Sequence, residues 1–171
     1  MKIGICLPTE TEAMGGNTAN GTEVLRLARL AEDAGFDSAW VVDHFCYSAA
    51  AEMEALGATA PPDLVGKIYG AWECLTMCAA LSRETRHMEI GTLVINTGYR
   101  NPALLARMSE TIDELSAGRF ILGVGAGDFF TEHDTFGYPW ERRVSRFEEA
   151  LQIIRPMLAG EHVTFDGEFY S

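Results

Sequence analysis

Long apolar runs are absent from this chain of 171 residues. No stretch approaches the roughly 18 uninterrupted apolar residues of a membrane-crossing helix. Positive charge is scarce as well. Lys and Arg number 13 against 25 Asp and Glu, a formal net charge of −12, which argues against non-specific binding to nucleic acid or to an anionic membrane. Any anionic cofactor must then rely on backbone donors and a few arginines. Cysteine is sparse, with four residues at 6, 46, 74 and 78. Zinc would need further ligands at finger-like spacing, so no metal site is expected, and the thiols read as reduced and mostly buried. The opening "MKIGICLP" is a short strand without the apolar segment of a secretory signal. A cytoplasmic protein with a small-molecule partner is the expectation.

What is present is a regular alternation of strands and helices. The composition, 47% hydrophobic and 22% charged, fits one globular domain over residues 1–171 with a sizeable core. "IGICLP" (3–8) reads as a strand ended by Pro8. After a Gly- and Asn-rich loop at 15–21, residues 22–36 carry Val24, Leu27, Ala28, Ala31 and Ala34 at helical spacing, with Thr22 as N-cap and Gly35 beyond the end. "SAWVVD" (38–43) is an apolar run of the parallel-sheet kind. Residues 44–70 have no clean period and form a long excursion. A helix is predicted over 70–85, a strand over 87–96, a helix over 102–118 between Pro102 and Gly118, a strand over 119–127 and a helix over 140–159. "HVTFDGEFYS" (162–171) predicts a small hairpin turning at Asp166-Gly167. The βαβαβαβα order means a parallel sheet with right-handed crossovers, either an open doubly wound sheet or part of a (β/α)8 barrel.

The stretch "ILGVGAGDFF" (121–130) decides between them. A dinucleotide fingerprint needs G-x-G-x-x-G after the first strand. Here Gly123, Gly125 and Gly127 form G-x-G-x-G after the fourth, with Asp128 next. In barrels, by contrast, chemistry gathers at the carboxyl ends of strands. The second strand ends in Asp43-His44, the third at Asn96 and "TGYRNP", and the fourth at Gly127-Asp128 with Glu132 and His133 close behind. Each has a plainer reading beside the functional one. Asp43-His44 reads also as a cap and a loop histidine, the glycines as turn residues, and Glu132-His133 as a solvated helix start. The arginines at 142, 143 and 146 alternate with glutamates, as on a salt-bridged helix face.

Four segments together resemble the luciferase-like flavin-dependent oxidoreductases: "GFDSAWVVDHF" (35–45), "YRNPALLARMSETIDELSAGRFILGVGAG" (99–127), "FGYPWERRVSRFEEALQII" (136–154) and "VTFDGEFY" (163–170). The resemblance implies a TIM barrel, of which about the first four βα units and the hairpin are present here. The other half would come from further chain or from a second polypeptide, and a homo-oligomer such as a dimer is expected. It implies hydride transfer with the deazaflavin coenzyme F420, to or from a small organic substrate. The alternatives are an FMN-dependent monooxygenase and a non-catalytic luciferase-like subunit. His44 resembles the histidine that faces redox ring and substrate in the deazaflavin branch, with Asp43 before it. Asp128 stands where that branch often has glutamate, and Glu132 falls at another acid position of the loop. Catalytic roles are thus implied for His44, Asp43, Asp128 and Glu132. Cofactor contacts are implied for His44, Thr92, Leu93, Val94 and Asn96, and for Gly125, Ala126, Gly127 and Asp128. The strand "GTLVIN" corresponds to a bulged strand that, in many members, supports the ring with a non-proline cis peptide, here near Leu93–Val94.

Overall fold

Pro8 cannot donate to a sheet ladder, and the first strand stops short of it. The computed structural model describes residues 1–11 and 19–171, so most of the expected loop at 15–21 lies outside the described residues. In chain order the elements are β1 (Gly4–Cys6), α1 (Gly21–Asp33), β2 (Ser38–Val41), β3 (Cys46–Tyr47), α2 (Ala49–Ala55) and β4 (Tyr69–Gly70). There follow α3 (Cys74–Glu84), β5 (Glu89–Thr92), β6 (Ile95–Asn96), α4 (Pro102–Ser116), β7 (Phe120–Ile121), β8 (Val124–Gly125), α5 (Phe130–Phe136) and α6 (Arg143–Leu158).

Strands β1, β2, β5 and β7 are neighbours in that order, all parallel. Register places Ile5, Ala39, Ile90 and Phe120 side by side, and these pack into the core with residues of α1, α3, α4 and α6. The alternation of side chains along a strand sends Cys6, Trp40, Gly91 and Ile121 to the opposite face. The four longer helices pack on one another in chain order, α1 on α3, α3 on α4 and α4 on α6. A sequential parallel sheet with one layer of helices on one face is a stretch of barrel wall, not a doubly wound sheet. On the inner face the indole of Trp40 lies where a Cβ on Gly4 or Gly91 would collide with it.

Several details differ from the sequence reading. Asn20, not Thr22, caps α1, its side chain accepting from the Thr22 N–H at 2.9 Å. Helix α3 begins at Cys74 because Glu73 caps it, accepting from the N–H groups of Leu75 and Thr76. The excursion contains α2 and an antiparallel pair, β3 with β4. Cys74 and Cys78 are buried, but Cys6 is exposed because its strand position points to the inner face. The hairpin expected at 162–171 does not form. Glu149 of α6 takes the N–H groups of Glu168 and Phe169, both at 2.9 Å, and Arg142 pairs with Glu168. The tail's donors therefore go to a helix side chain instead of a partner strand, and the Gly167 N–H donates to the Tyr170 carbonyl.

Candidate active site

The third strand carries one residue more than its neighbour. Ile90 and Gly91 pair with Phe120 and Ile121, whereas Ile95 and Asn96 pair with Val124 and Gly125. Thr92, Leu93 and Val94 thus span the gap that Leu122 and Gly123 span opposite, which is a bulge at the expected place. The Leu93–Val94 peptide is cis. Thr92 turns into the wall, its hydroxyl donating to the Gly123 carbonyl at 2.8 Å and accepting from the Gly123 N–H at 2.9 Å. A Cβ on Gly123 would overlap the Thr92 carbonyl oxygen, so glycine is required there.

The bulge leaves Leu93 and Val94 52% and 44% exposed, and both line a cavity of about 300 Å³. The cavity lies at the carboxyl ends of the strands. Asp43 and His44 enter it after β2, Asn96 from β6, Tyr99 from the following 3-10 turn, and Gly125 to Asp128 from β8 and beyond. Every residue expected at the cofactor therefore meets here except Thr92, which stands behind the wall. Glu132 is likewise one layer back.

Asp43 is held by a buried guanidinium. Its side chain is 0% exposed and that of Arg100 8%; the guanidinium donates to both carboxylate oxygens at 2.7 Å and to Glu73 at 2.7 Å. Oδ2 of Asp43 also accepts the Asn96 N–H at 2.9 Å. Burial works to lower the Arg100 pKa, but the two carboxylates outweigh it and raise it. The acid thus ties the end of β2 to β6 and to the turn beyond.

His44 is held through Nδ1. That nitrogen lies 2.9 Å from Oε2 of Glu132, while Phe129 and Tyr47 flank the ring at centroid distances of 4.5 and 5.2 Å. Glu132 is fully buried. Its Oε2 also accepts from the Tyr99 hydroxyl at 2.8 Å, and its Oε1 from the N–H groups of Phe45 and Cys46 at 2.5 and 3.0 Å. Burial pushes the Glu132 pKa up, but these donors, His44 first, overcome it and lower it. Burial alone would depress His44; the hydrogen bond and charge of Glu132, with smaller help from Glu10 and Asp128, raise it instead. With Glu132 a carboxylate, Nδ1 carries the proton and Nε2 is the nitrogen available to the cavity.

Neither Glu132 nor His133 is a solvated helix start; both are fully buried. Nε2 of His133 lies 2.8 Å from the Asn96 amide nitrogen, and Nδ1 lies 3.0 Å from the Pro139 carbonyl. An amide nitrogen only donates, so His133 is neutral with its proton on Nδ1, and burial lowers its pKa accordingly. Asn96 completes its bonding by accepting from the Gly98 N–H at 2.9 Å. Gly127, at φ +83°, passes so close that a Cβ would run into the Asn96 amide. Asp128 is exposed at the cavity rim. Of the arginine run, Arg143 donates to the Gly127 carbonyl at 3.1 Å and covers the Trp140 ring at 4.1 Å, while Arg142 and Arg146 lie over Phe169 at 4.7 and 4.3 Å.

Sequence reasoning missed Tyr99, Arg100, Glu73 and Glu52. Tyr99 and Arg100 open a segment quoted for the resemblance with no role attached to either, and Glu73 reads as an ordinary helix start. Their partners are 27 or more residues away, so no local pattern couples them.

The chain matches the luciferase-like monooxygenase family over residues 1–171. It is 34% identical over 142 residues to 5,10-methylenetetrahydromethanopterin reductase of Archaeoglobus fulgidus, covering 83% of this chain and 35% of that protein. It is 36% identical over 154 residues to F420-dependent glucose-6-phosphate dehydrogenase of Mycolicibacterium smegmatis, covering 86% and 41%. Among solved structures, an F420-dependent secondary alcohol dehydrogenase in complex with an F420–acetone adduct superposes with a TM-score of 0.74 at 25% identity, over 99% of this chain and 46% of that one. The monooxygenase RslO1 of Streptomyces bottropensis superposes with a TM-score of 0.73 at 26% identity, over 99% and 46%. The chain spans less than half the length of these relatives, and its wall of four parallel strands is the corresponding part of their barrels. On the match over its whole length, the chain belongs to the luciferase-like monooxygenase family.

Proposed function

We propose that this chain forms the catalytic half-barrel of an oxidoreductase that uses the deazaflavin F420 to move hydride to or from a small organic substrate. The observation that carries the reading is the placement of His44: Nδ1 fixed on a buried carboxylate, Nε2 left to a cavity with a glycine floor. The residues suit a flat ring. Leu93 and Val94 offer an apolar wall, and Gly125 and Gly127 bring bare backbone beside it, where Val94 crowds a Cβ on Gly125 and Asn96 leaves no room for one on Gly127. The similarity to the F420-dependent glucose-6-phosphate dehydrogenase and to the F420-dependent secondary alcohol dehydrogenase supports this cofactor.

A deazaflavin bound there would supply a ring carbon that accepts or gives up hydride. His44 handles the proton. As hydride leaves the carbinol carbon of an alcohol, Nε2 takes the hydroxyl proton, and in the reverse direction it returns it. Glu132 favours the resulting imidazolium, making His44 a stronger base than a free imidazole. Asp43 acts as a positioning residue, since Arg100 occupies both its oxygens. Asp128 and Glu10 add negative charge around the imidazolium. The rest of the barrel, from the same polypeptide or a second chain, would complete the substrate pocket, and a dimer is proposed.

Titrating the full-length protein with F420 and with FMN, followed by fluorescence, tests the cofactor. Binding of F420 is expected. Binding of FMN alone would support a monooxygenase, which RslO1 favours, and binding of neither would point to a non-catalytic subunit. His44→Ala should leave F420 affinity within a few fold and lower turnover by about 10²–10⁴. Undiminished turnover per folded molecule would remove His44 from the mechanism.

A further inference from the structure

Helix α5 has no cap of its own. Phe129 occupies its N-cap position, and no side-chain bond is made there. The missing acceptor arrives from 78 residues earlier in the chain. Glu52, buried in α2 of the excursion, accepts the N–H of Phe130 at 3.2 Å and of Thr131 at 2.7 Å, and also the Thr131 hydroxyl. The next residue along α5 is Glu132, which holds His44, and the one after is His133, which holds Asn96. The residue before the helix is Phe129, whose ring lies 4.5 Å from that of His44. Three groups that shape the cavity thus hang on one turn whose first two N–H groups are taken by Glu52.

We propose that Glu52 is a positioning residue of the active site: it fixes the first turn of α5 so that the Glu132 carboxylate stays on His44 Nδ1. The excursion, which has no sequence signal for catalysis, thereby governs the proton affinity of the base. The charged groups facing His44 are Glu132 from α5, Asp128 from the turn before it, and Glu10 beyond β1. Glu52 is not among them, so its influence runs through Glu132 and not through its own field. Its consequence for turnover, though not the coupling itself, rests on the function proposed above.

The test is the titration of the His44 ring by NMR in the full-length protein, assigned by the signal lost in His44→Ala. Glu52→Gln should lower the midpoint by about one pH unit, because the imidazolium loses a well-placed carboxylate while remaining buried. In a Glu132→Gln background the same substitution should leave the midpoint within about 0.2 unit, since the two act in series. An equal shift in both backgrounds, or an unmoved midpoint with only a lower melting temperature, would overturn the proposal. If Glu52→Gln does not fold, Thr131→Val removes one of the three bonds. A smaller fall is then expected, and an unchanged midpoint overturns the idea. A midpoint that moves while the pH profile of turnover stays fixed would leave the coupling standing and count against His44 as the catalytic base.

Discussion

Two buried ionic arrangements hold the cavity wall, and they differ in kind. Asp43 with Arg100 is a closed pair, both side chains almost out of solvent. Removing one partner leaves an uncompensated buried charge, so Arg100→Met should destabilise the protein by about 3–5 kcal/mol. Denaturant unfolding measures this, and a loss under 1 kcal/mol would mean that water reaches Asp43. His44 with Glu132 is open to the cavity and titrates. The His44 pKa is raised above its ordinary 6.5, so its stabilising share is complete below 6.5 and disappears as pH climbs through the raised value. The Glu132 pKa is lowered below its ordinary 4.5, so its share is complete above 4.5 and disappears as pH falls through the lowered value. The pair should therefore stabilise most between about pH 4.5 and 6.5. Melting temperatures of wild type and His44→Ala should differ most in that window and converge at higher pH. A difference that does not vary with pH would contradict the ion pair.

The bulged third strand is the element that shapes the site, and it depends on the glycine opposite. Gly123→Ala would push a methyl against backbone, the Thr92 carbonyl, which cannot turn aside as a side chain can. A loss of about 1–3 kcal/mol is expected, read as a lower melting temperature together with weaker cofactor binding, because Leu93 and Val94 move with Thr92. An unaltered melting temperature and affinity would show that the strand can slide. Much at this level was legible in the sequence. Apolar runs ending in Asp43-His44, Asn96 and Gly127-Asp128 place those residues at the ends of parallel strands, and the resemblance locates the bulge and the cis peptide. Helices α2 and α5 were not legible. Each is seven residues long, too short for a 3.6-residue period to show, and α5 relies on Glu52 for its cap. Glu132 and His133 look solvated in sequence because their burial depends on partners far along the chain: Tyr99 and His44 for one, Asn96 for the other. The tail misleads for a related reason. The chain bends at Glu168 and Phe169, and Glu149 competes for the donors that a second strand would have used.

The wall as a whole has two open sides. Among the described residues, strand β1 pairs only with β2 and β7 only with β5, which leaves the outer edge of each without a strand partner. The inner face carries Trp40 and Ile121 beside an exposed Cys6, with no layer of the described residues over it. The helical face, in contrast, is a finished core of interlocking residues from four helices. Such a sheet is stable on one side and needs cover on the other, as expected of about half of a (β/α)8 barrel. Expressed alone, residues 1–171 should therefore associate through their edges or unfold without a sharp transition. Light scattering coupled to size exclusion, followed by thermal melting, reads both outcomes. A monodisperse 18.7 kDa monomer that melts in one cooperative step would show the wall to be self-sufficient, and would count against the need for a second half-barrel to complete the site around His44.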